Sequence, residues 1–336
     1  YAYRNKMEFS FGDQYKEGQL ALGLHKQGAF HDIVPVEHCQ IVHPDYGKIL
    51  AGVLDYFRRQ DASFYHTRSH EGFLRHLVIR RSFMDGSLLV NLVTSSQGRL
   101  EEEGFAEALL SLPLEGRIAG ILHTVNDSLA DIVRPDQVKL LYGEEYLTEN
   151  LLGLTFRLSP FSFFQTNTRG AERLYQTAVD FAALAPGDVA VDAYAGAGTL
   201  SLCLARHASR VIGIEIVPQA VEGARRNAAR NAITNAEFHV AAVEDLLPRL
   251  VADGLRPDVV VLDPPRKGVE PAVIEAVLAA RPRRVVYVSC HVPTQARDVQ
   301  LLTSGGYRFE RCQPVDMFCY AGGVENVLSL SRGARG

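Results

Sequence analysis

The sequence predicts a two-domain α/β chain. A doubly wound, mostly parallel sheet is expected over residues 161–336, preceded by a strand-rich α+β domain over residues 1–160. Three observations predict it. The 336 residues amount to about two domains at roughly 150 residues each. Apolar, β-branched runs alternate strictly with helical stretches after Pro186-Gly187, the mark of parallel strands covered on both faces. The texture before about residue 160 differs, being made of hairpin-like pairs of runs, so the boundary is placed at 155–165.

In the first domain Phe9 to Phe11 follows a basic opening, YRNK. LALGLHKQGAFHDIVPV holds two apolar runs split by Gly28, which reads as a hairpin. Pro44 to Arg59 reads as a helix with Ile49, Leu50, Val53, Leu54 and Phe57 on one face. LRHLVIRRSF and SLLVNLVTSS flank Asp85-Gly86, the clearest hairpin signal in the chain. Glu101 to Glu103 suits a solvated helix start, where acids favour the N-terminal dipole. RIAGILHTVN and VKLLYGEEYL supply further strands.

In the second domain a helix is expected over 169–184. Then come DVAVDAY, a helix to about His207, RVIGIEI, a helix to about Asn231, AEFHVAAV, a helix, PDVVVLD, a helix and RRVVYVSC. No internal repeat is visible.

Composition narrows the function. At 47% hydrophobic and 22% charged residues, the chain is globular rather than disordered. No window approaches the ~18 uninterrupted apolar residues of a membrane span, and no basic-then-apolar leader opens the chain. The first residue is Tyr1 rather than Met, consistent with a piece of a longer protein that carries an N-terminal module. Five cysteines at 39, 203, 290, 312 and 319 include no C-x-x-C pair, so neither a zinc knuckle nor a disulfide framework is expected. A reducing, cytoplasmic home and no membrane partner follow as expectations. Residues 1–160 hold 16 Lys and Arg against 21 Asp and Glu, and residues 161–336 hold 19 against 18. A nucleic-acid partner would therefore be gripped by local patches, not by a basic domain.

Chemistry concentrates at the ends of the second domain's strands. Asp192-Ala-Tyr194-Ala-Gly196-Ala-Gly198-Thr199 is a strand end, a glycine turn and a helix start, where backbone can approach a ligand closely. Glu215 ends the next strand, 19 residues after Gly196, where an acid accepts hydrogen bonds from adenosine ribose hydroxyls. Nicotinamide dinucleotides use the same geometry, so this turn alone leaves a dinucleotide oxidoreductase open. Ser201 stands where the third fingerprint glycine would be. S-adenosylmethionine, which has no pyrophosphate to seat, does not need that glycine. Asp263-Pro264-Pro265-Arg266 follows VVVLD, and two prolines stiffen a loop that presents the next side chain toward a target. Such a tetrad is typical of methyltransferases acting on bases; Arg266 in place of an aromatic argues against the amino-group enzymes.

Cys290 closes RRVVYVSC and brings a thiol to the same sheet edge. Arg266 and Lys267 are expected near it, and cations lower a thiol pKa. Cys203, inside a helix, reads as a small buried hydrophobe. A thiolate suits methylation of uracil C5, which attacks an electrophilic methyl group only after addition at C6. The C5 proton must then be taken by a base. Glu325 in GGVENVLSL is a candidate, although an exposed strand glutamate is the simpler reading of that segment alone.

With these residues in view the chain resembles the RNA (uracil-5-)methyltransferase family, the 23S rRNA and tRNA m5U enzymes. The resemblance runs over nearly the whole chain. YAYRNKMEFSFG resembles the start of the family's central domain, and SPFSFFQTNT the segment whose Gln contacts the cofactor, here Gln165. DAYAGAGTLSL, IGIEIV, LDPPRKG, VYVSCHVPTQARD and GGVENV resemble later motifs in order and spacing. The resemblance implies a Rossmann-like class I methyltransferase domain. It implies S-adenosylmethionine on Gln165, Tyr194, Glu215 and Asp263, beside the turn residues Gly196, Gly198 and Thr199. It implies Cys290 as nucleophile, Glu325 as base, and an RNA base flipped out of its stack.

The opening and Cys39 in VEHCQIVHP resemble the 23S rRNA branch, so 23S rRNA is the favoured substrate and tRNA the alternative. Cys39 matches the fourth ligand of a family iron–sulfur site whose other three would lie before Tyr1. A [4Fe-4S] cluster therefore cannot form from this chain alone, and no metal site and no protein partner are expected. Cys319-Tyr-Ala-Gly-Gly stands where the family commonly has a Pro-His-containing loop. A non-catalytic RNA-binding protein on the same fold is the remaining alternative, and the presence of both Cys290 and Glu325 counts against it.

Overall fold

The structure, a computed structural model, describes residues 1–129 and 136–332. Two compact units emerge: Tyr1–Glu149 with Arg157–Phe161, and Asn150–Phe156 with Ser162–Gly336.

The first unit is built on a seven-stranded mixed sheet. Its strands are β1 (Lys6–Asp13), β2 (Leu20–Lys26), β3 (Ala29–Pro35), β4 (Leu74–Arg81), β5 (Leu88–Thr94), β6 (Ile118–Val125) and β7 (Gln137–Gly143), in the order β2-β3-β1-β4-β5-β6-β7. The hairpins expected around Gly28 and around Asp85-Gly86 are β2–β3 and β4–β5, both antiparallel. Strands β5 and β6 run parallel, which requires a crossover. Helix α2 (Glu102–Leu110) lies in that connection and starts at the expected acidic run. Helix α1 (Asp45–Arg58) buries the five apolar residues read from its period, and Phe57 packs on Phe105 of α2 and on Phe11 of β1.

Where the chain passes between the units it makes a short hairpin that the sequence reading did not place, β8 (Leu147–Leu151) and β9 (Leu154–Leu158). Its two-residue turn has positive φ at both Leu152 (50°) and Gly153 (76°), the signature of a twist-matched hairpin turn.

The second unit begins with α3 (Thr168–Ala182), then alternates β10 (Val189–Asp192), α4 (Thr199–Ala205), β11 (Arg210–Glu215), α5 (Pro218–Arg230), β12 (Ala236–Val240), α6 (Val243–Ala252), β13 (Val259–Leu262), α7 (Pro271–Ala280), β14 (Arg284–Ser289) and α8 (Val292–Ser304). It closes with β15 (Tyr307–Val315) and β16 (Glu325–Arg332). The sheet order is β12-β11-β10-β13-β14-β16-β15. The first five strands are parallel; β16 is antiparallel to both β14 and β15. Strands β13 and β14 are buried along almost their whole length, as a sheet covered on both faces requires. On one face Val191, Ile212, Val260 and Val285 meet Leu247, Val273, Val277 and Leu302 of α6, α7 and α8. The order reverses between β10 and β13, so their carboxyl ends open a crevice at a switch point. Among the described residues no helix is long and apolar enough to cross a membrane.

Candidate active site

The glycine turn sits at that switch point. Gly196 has φ +53° and Gly198 φ +80°, both in the left-handed region that favours glycine. The two glycines serve different ends. A Cβ on Gly198 would stand 2.8 Å from Ala224 Cβ and 3.1 Å from Phe238 Cζ, so this glycine lets the turn pack on α5 and β12. A Cβ on Gly196 would meet no atom within 4 Å, so the backbone there borders open space. Glu215 ends β11 and folds back on the turn. Its carboxylate accepts from Gly196 N–H (3.0 Å) and Val217 N–H (2.9 Å), one on each oxygen. Each oxygen keeps a second lone pair for a ribose hydroxyl. Thr199 is the buried first residue of α4.

Ser201, noted in sequence only as a missing glycine, has a use of its own. Its hydroxyl donates to Asp192 Oδ2 at 2.6 Å, and both side chains are buried. Burial pushes the Asp192 carboxyl up to about 6. This bond ties the end of β10 to the first turn of α4 and fixes the arc of the glycine turn. Gln165 is half-buried, and its side chain offsets part of the rise that burial imposes on the Tyr175 hydroxyl of α3. Tyr194 is half-buried beside the same turn, its hydroxyl raised first by burial and then by Glu244, Glu270 and Asp298.

Asp263 follows β13 and Cys290 follows β14. Antiparallel pairing aligns Val288 with Val327 and Ser289 with Asn326; continued by one residue, it sets Cys290 opposite Glu325. Opposed residues share a face of the sheet. Glu325 is 6% exposed, so the exposed-strand reading of this residue is wrong. Its burial comes from its place at the start of β16, a strand that lies between β14 and β15; on the β15 side it aligns with Val315. Burial pushes the Glu325 carboxyl upward and Arg266 pulls it back. Asp263 is held well above the carboxylate range by burial, then by Glu325 and Asp192.

The electrostatics of Cys290 also differ from expectation. Arg266 does lower the thiol pKa, but burial and the Glu325 charge outweigh it, and the net shift is upward. Lys267 does not join in: its ammonium pairs with Glu270 at 2.6 Å. One consequence is testable. Glu325→Gln removes a like charge from beside the thiolate, so Cys290 becomes more acidic. Its alkylation by iodoacetamide at pH 8 should be about three- to ten-fold faster than in the wild type. Peptide mass spectrometry of the Cys290 adduct against time reads it; an unchanged or slower rate would show that the two groups are not electrostatically coupled.

Two further polar pairs were invisible in the sequence. Gln295 on α8 and Asn326 on β16 are buried and reciprocal: Asn326 Nδ2 donates to Gln295 Oε1 (2.7 Å), and Gln295 Nε2 donates to the carbonyls of Tyr287 (3.0 Å) and Asn326 (3.2 Å). They fix the register of the strand carrying Glu325 against the strand carrying Cys290. Asn167 caps α3, accepting from Gly170 N–H (2.9 Å) and donating to the Met317 carbonyl (2.8 Å). Cys203 is buried in α4 and its thiol is pushed up to about 12, which leaves it inert. Cys39 is partly buried against the core of the first unit. Among the described residues no group of three or more His, Cys, Asp or Glu side chains could hold a metal ion.

Comparison with known proteins gives the family and the fold. Residues 119–333 match the family model described as tRNA (uracil-5-)-methyltransferase. An uncharacterized RNA methyltransferase of Clostridium tetani is 43% identical over 332 residues, 99% of this chain and 72% of that protein. One from Caldanaerobacter subterraneus is 42% identical over 332 residues, 99% of this chain and 73% of that protein. Among solved structures, the Pyrococcus abyssi tRNA (uracil-54, C5)-methyltransferase, in complex with S-adenosyl-L-homocysteine, superposes with a TM-score of 0.81 at 26% identity, covering 98% of this chain and 76% of that one. The second unit thus has the Rossmann-like class I methyltransferase fold. With a thiol, a buried carboxylate and a glycine turn at one sheet edge, and relatives of this closeness along nearly its whole length, the chain belongs to the tRNA (uracil-5-)-methyltransferase family.

Proposed function

We propose that this RNA methyltransferase transfers a methyl group from S-adenosylmethionine to uridine C5 through a covalent adduct on Cys290. The observation that carries the reading is the alignment of Cys290 with Glu325 across β14 and β16, with the Arg266 charge acting on the thiol. The open space at Gly196, the free lone pairs of Glu215 and the positions of Gln165, Tyr194 and Asp263 fit the methyl donor. Gly198 and Thr199 shape the turn beneath it. When bound, S-adenosylmethionine supplies an electrophilic methyl group on a sulfonium.

The residues divide the remaining work. The Cys290 thiolate adds to C6 of the flipped uracil, a new S–C bond forms, and the C5–C6 π pair moves into an enolate over C4–C5. C5 is then nucleophilic and gains the methyl group. Glu325 takes the C5 proton, the electron pair restores the C5–C6 double bond, and the S–C bond breaks to release Cys290 as thiolate. A raised carboxyl pKa makes Glu325 a stronger base for that step than a solvated glutamate. Trapping tests the scheme: RNA carrying 5-fluorouridine should form a stable protein–RNA adduct in the presence of S-adenosylmethionine, because fluorine at C5 cannot leave as a proton. No adduct would remove the covalent route.

The favoured substrate is 23S rRNA, supported by the likeness of the opening segment and Cys39 to that branch. The similar solved structure is of a tRNA enzyme. Methyl incorporation into a 23S rRNA fragment and into unmodified tRNA, assayed side by side, decides between them.

A prediction follows for the cofactor site. Glu215→Ala should weaken S-adenosylmethionine binding by about 1–3 kcal/mol, the cost of losing hydrogen bonds to a charged acceptor. Glu215→Gln, which keeps an acceptor for one of the two backbone N–H groups, should fall between. Calorimetry showing unchanged affinity for both would mean that the adenosine lies elsewhere.

A further inference from the structure

The segment VPTQARD begins two residues after Cys290, at Val292, yet the reaction scheme uses none of its side chains. In the structure this segment opens α8, and one face of it grips the loop after β13. Thr294 Oγ1 donates to the Arg266 carbonyl (3.1 Å), and Arg297 Nη2 donates to the Lys267 carbonyl (3.1 Å). Asp298 accepts from Val269 N–H (2.8 Å). The spacing of 294, 297 and 298 puts all three on one side of the helix.

Asp298 is the centre of this grip. It has no solvent exposure, and both its oxygens are doubly occupied. Oδ2 accepts from Val269 N–H and from the Tyr287 hydroxyl on β14 (2.7 Å). Oδ1 accepts from Arg297 Nε (2.8 Å) and Nη2 (2.7 Å). One carboxylate therefore joins the Asp263–Arg266 loop, the strand that ends in Cys290, and the guanidinium that holds Lys267. The fit is close. Gly268 has φ +84°, and a Cβ there would stand 2.5 Å from Arg297 Nη2 and 2.6 Å from Asp298 Oδ2.

We propose that Asp298 is a positioning residue: it clamps the Asp263–Arg266 loop to β14 and so fixes where the Arg266 guanidinium stands relative to Cys290. The proposal rests on the covalent reading for its kinetic consequence, not for its geometry. The charged groups facing Cys290 are Arg266 and Asp263 from the loop and Glu325 from β16. His291, next in the chain, pairs with Thr294 at 3.1 Å. Of these three groups, Arg266 is the one that favours the thiolate, and it is the one the clamp fixes. Releasing the clamp leaves burial and Glu325 unopposed.

The test uses the whole chain. Asp298→Ala should lower kcat by about 10- to 100-fold, the cost of misplacing a reacting partner by about 1 Å. It should leave the KM for S-adenosylmethionine within a few-fold and move the pH profile of Cys290 alkylation upward. Asp298→Asn should recover part of both losses, since its carbonyl still accepts from Val269 and Tyr287 while its amide cannot receive Arg297. Arg297→Ala, at an exposed side chain, should resemble Asp298→Asn. Circular dichroism melts report folding. A folded Asp298→Ala with wild-type kcat and alkylation profile overturns the proposal. Should Asp298→Ala fail to fold, Arg297→Ala and Asp298→Asn decide it, and unchanged profiles in both overturn it. Full activity of Cys290→Ala would instead remove the covalent reading, while the alkylation profile would still judge the clamp.

Discussion

Replacing Cys290 by alanine should reduce methyl transfer to uridine RNA by at least about 10,000-fold, while leaving S-adenosylmethionine affinity nearly unchanged. The magnitude is that of removing a catalytic nucleophile. Without the thiolate no adduct forms at C6, and C5 keeps too little electron density to attack a sulfonium methyl. The residues proposed to hold the cofactor lie on other connections: the turn after β10, the end of β11 and the loop after β13. The fold should persist, because Cys290 is only half-buried and follows its strand rather than packing in the core. Cys290→Ser should be nearly as inactive, since a hydroxyl is a far weaker nucleophile at neutral pH. Filter-bound tritium from methyl-labelled cofactor measures transfer and calorimetry measures binding. Turnover close to wild type in Cys290→Ala would show that C5 is activated in another way.

The position of Cys290 was legible because it depends on a local pattern. VVYVS is an uninterrupted buried run, and a residue directly after such a run in a parallel sheet falls at the carboxyl edge. The glycine turn and Glu215 were legible for the same reason. Glu325 was not legible in this way. Its burial depends on β16 inserting between β14 and β15, a pairing of Asn326 with Ser289 and of Glu325 with Val315 that no local pattern encodes. From ENVLSLSR alone the first residue looks solvated, and only the resemblance raised it.

The same limit hid Ser201–Asp192, Gln295–Asn326 and the Asp298 clamp. Each is a polar residue that would be placed on a wet helix face or a loop when taken singly. Each becomes buried only against a partner from another element, over separations of 9, 31 and 29 residues for the bonds 201–192, 326–295 and 269–298. The sign of the Cys290 shift was missed because proximity to Arg266 was read from sequence, whereas desolvation and the Glu325 charge come from the sheet. Lys267 was miscounted for a simpler reason: Glu270, three residues on, takes its ammonium.

Glu325→Gln should stall the reaction after methyl transfer and accumulate a methylated protein–RNA adduct. Addition of Cys290 needs no general base at Glu325, and the substitution even favours the thiolate by removing a neighbouring charge. Attack of C5 on the methyl group needs no base either. Elimination does: the S–C6 bond breaks only as the C5 proton leaves, and an amide cannot accept that proton at neutral pH. Gln keeps the volume of Glu and an acceptor oxygen, so the buried site between β14 and β15 need not rearrange. On a denaturing gel with ordinary uridine RNA, the variant should show a slow band that the wild type does not build up. The band should carry methyl label and be absent from the Cys290→Ala, Glu325→Gln double variant. Product release should fall by about 100- to 10,000-fold, the range contributed by a positioned base. The sign with pH separates this from simple damage. Hydroxide can replace the missing base, so the trapped band should decay faster as pH rises from 7 to 9, whereas a misfolded variant would form less of it. Release of methylated RNA at the wild-type rate, with no band, would mean that another group removes the C5 proton. Asp263 would then be the carboxyl to examine, since it faces the same thiol and couples to the same charge.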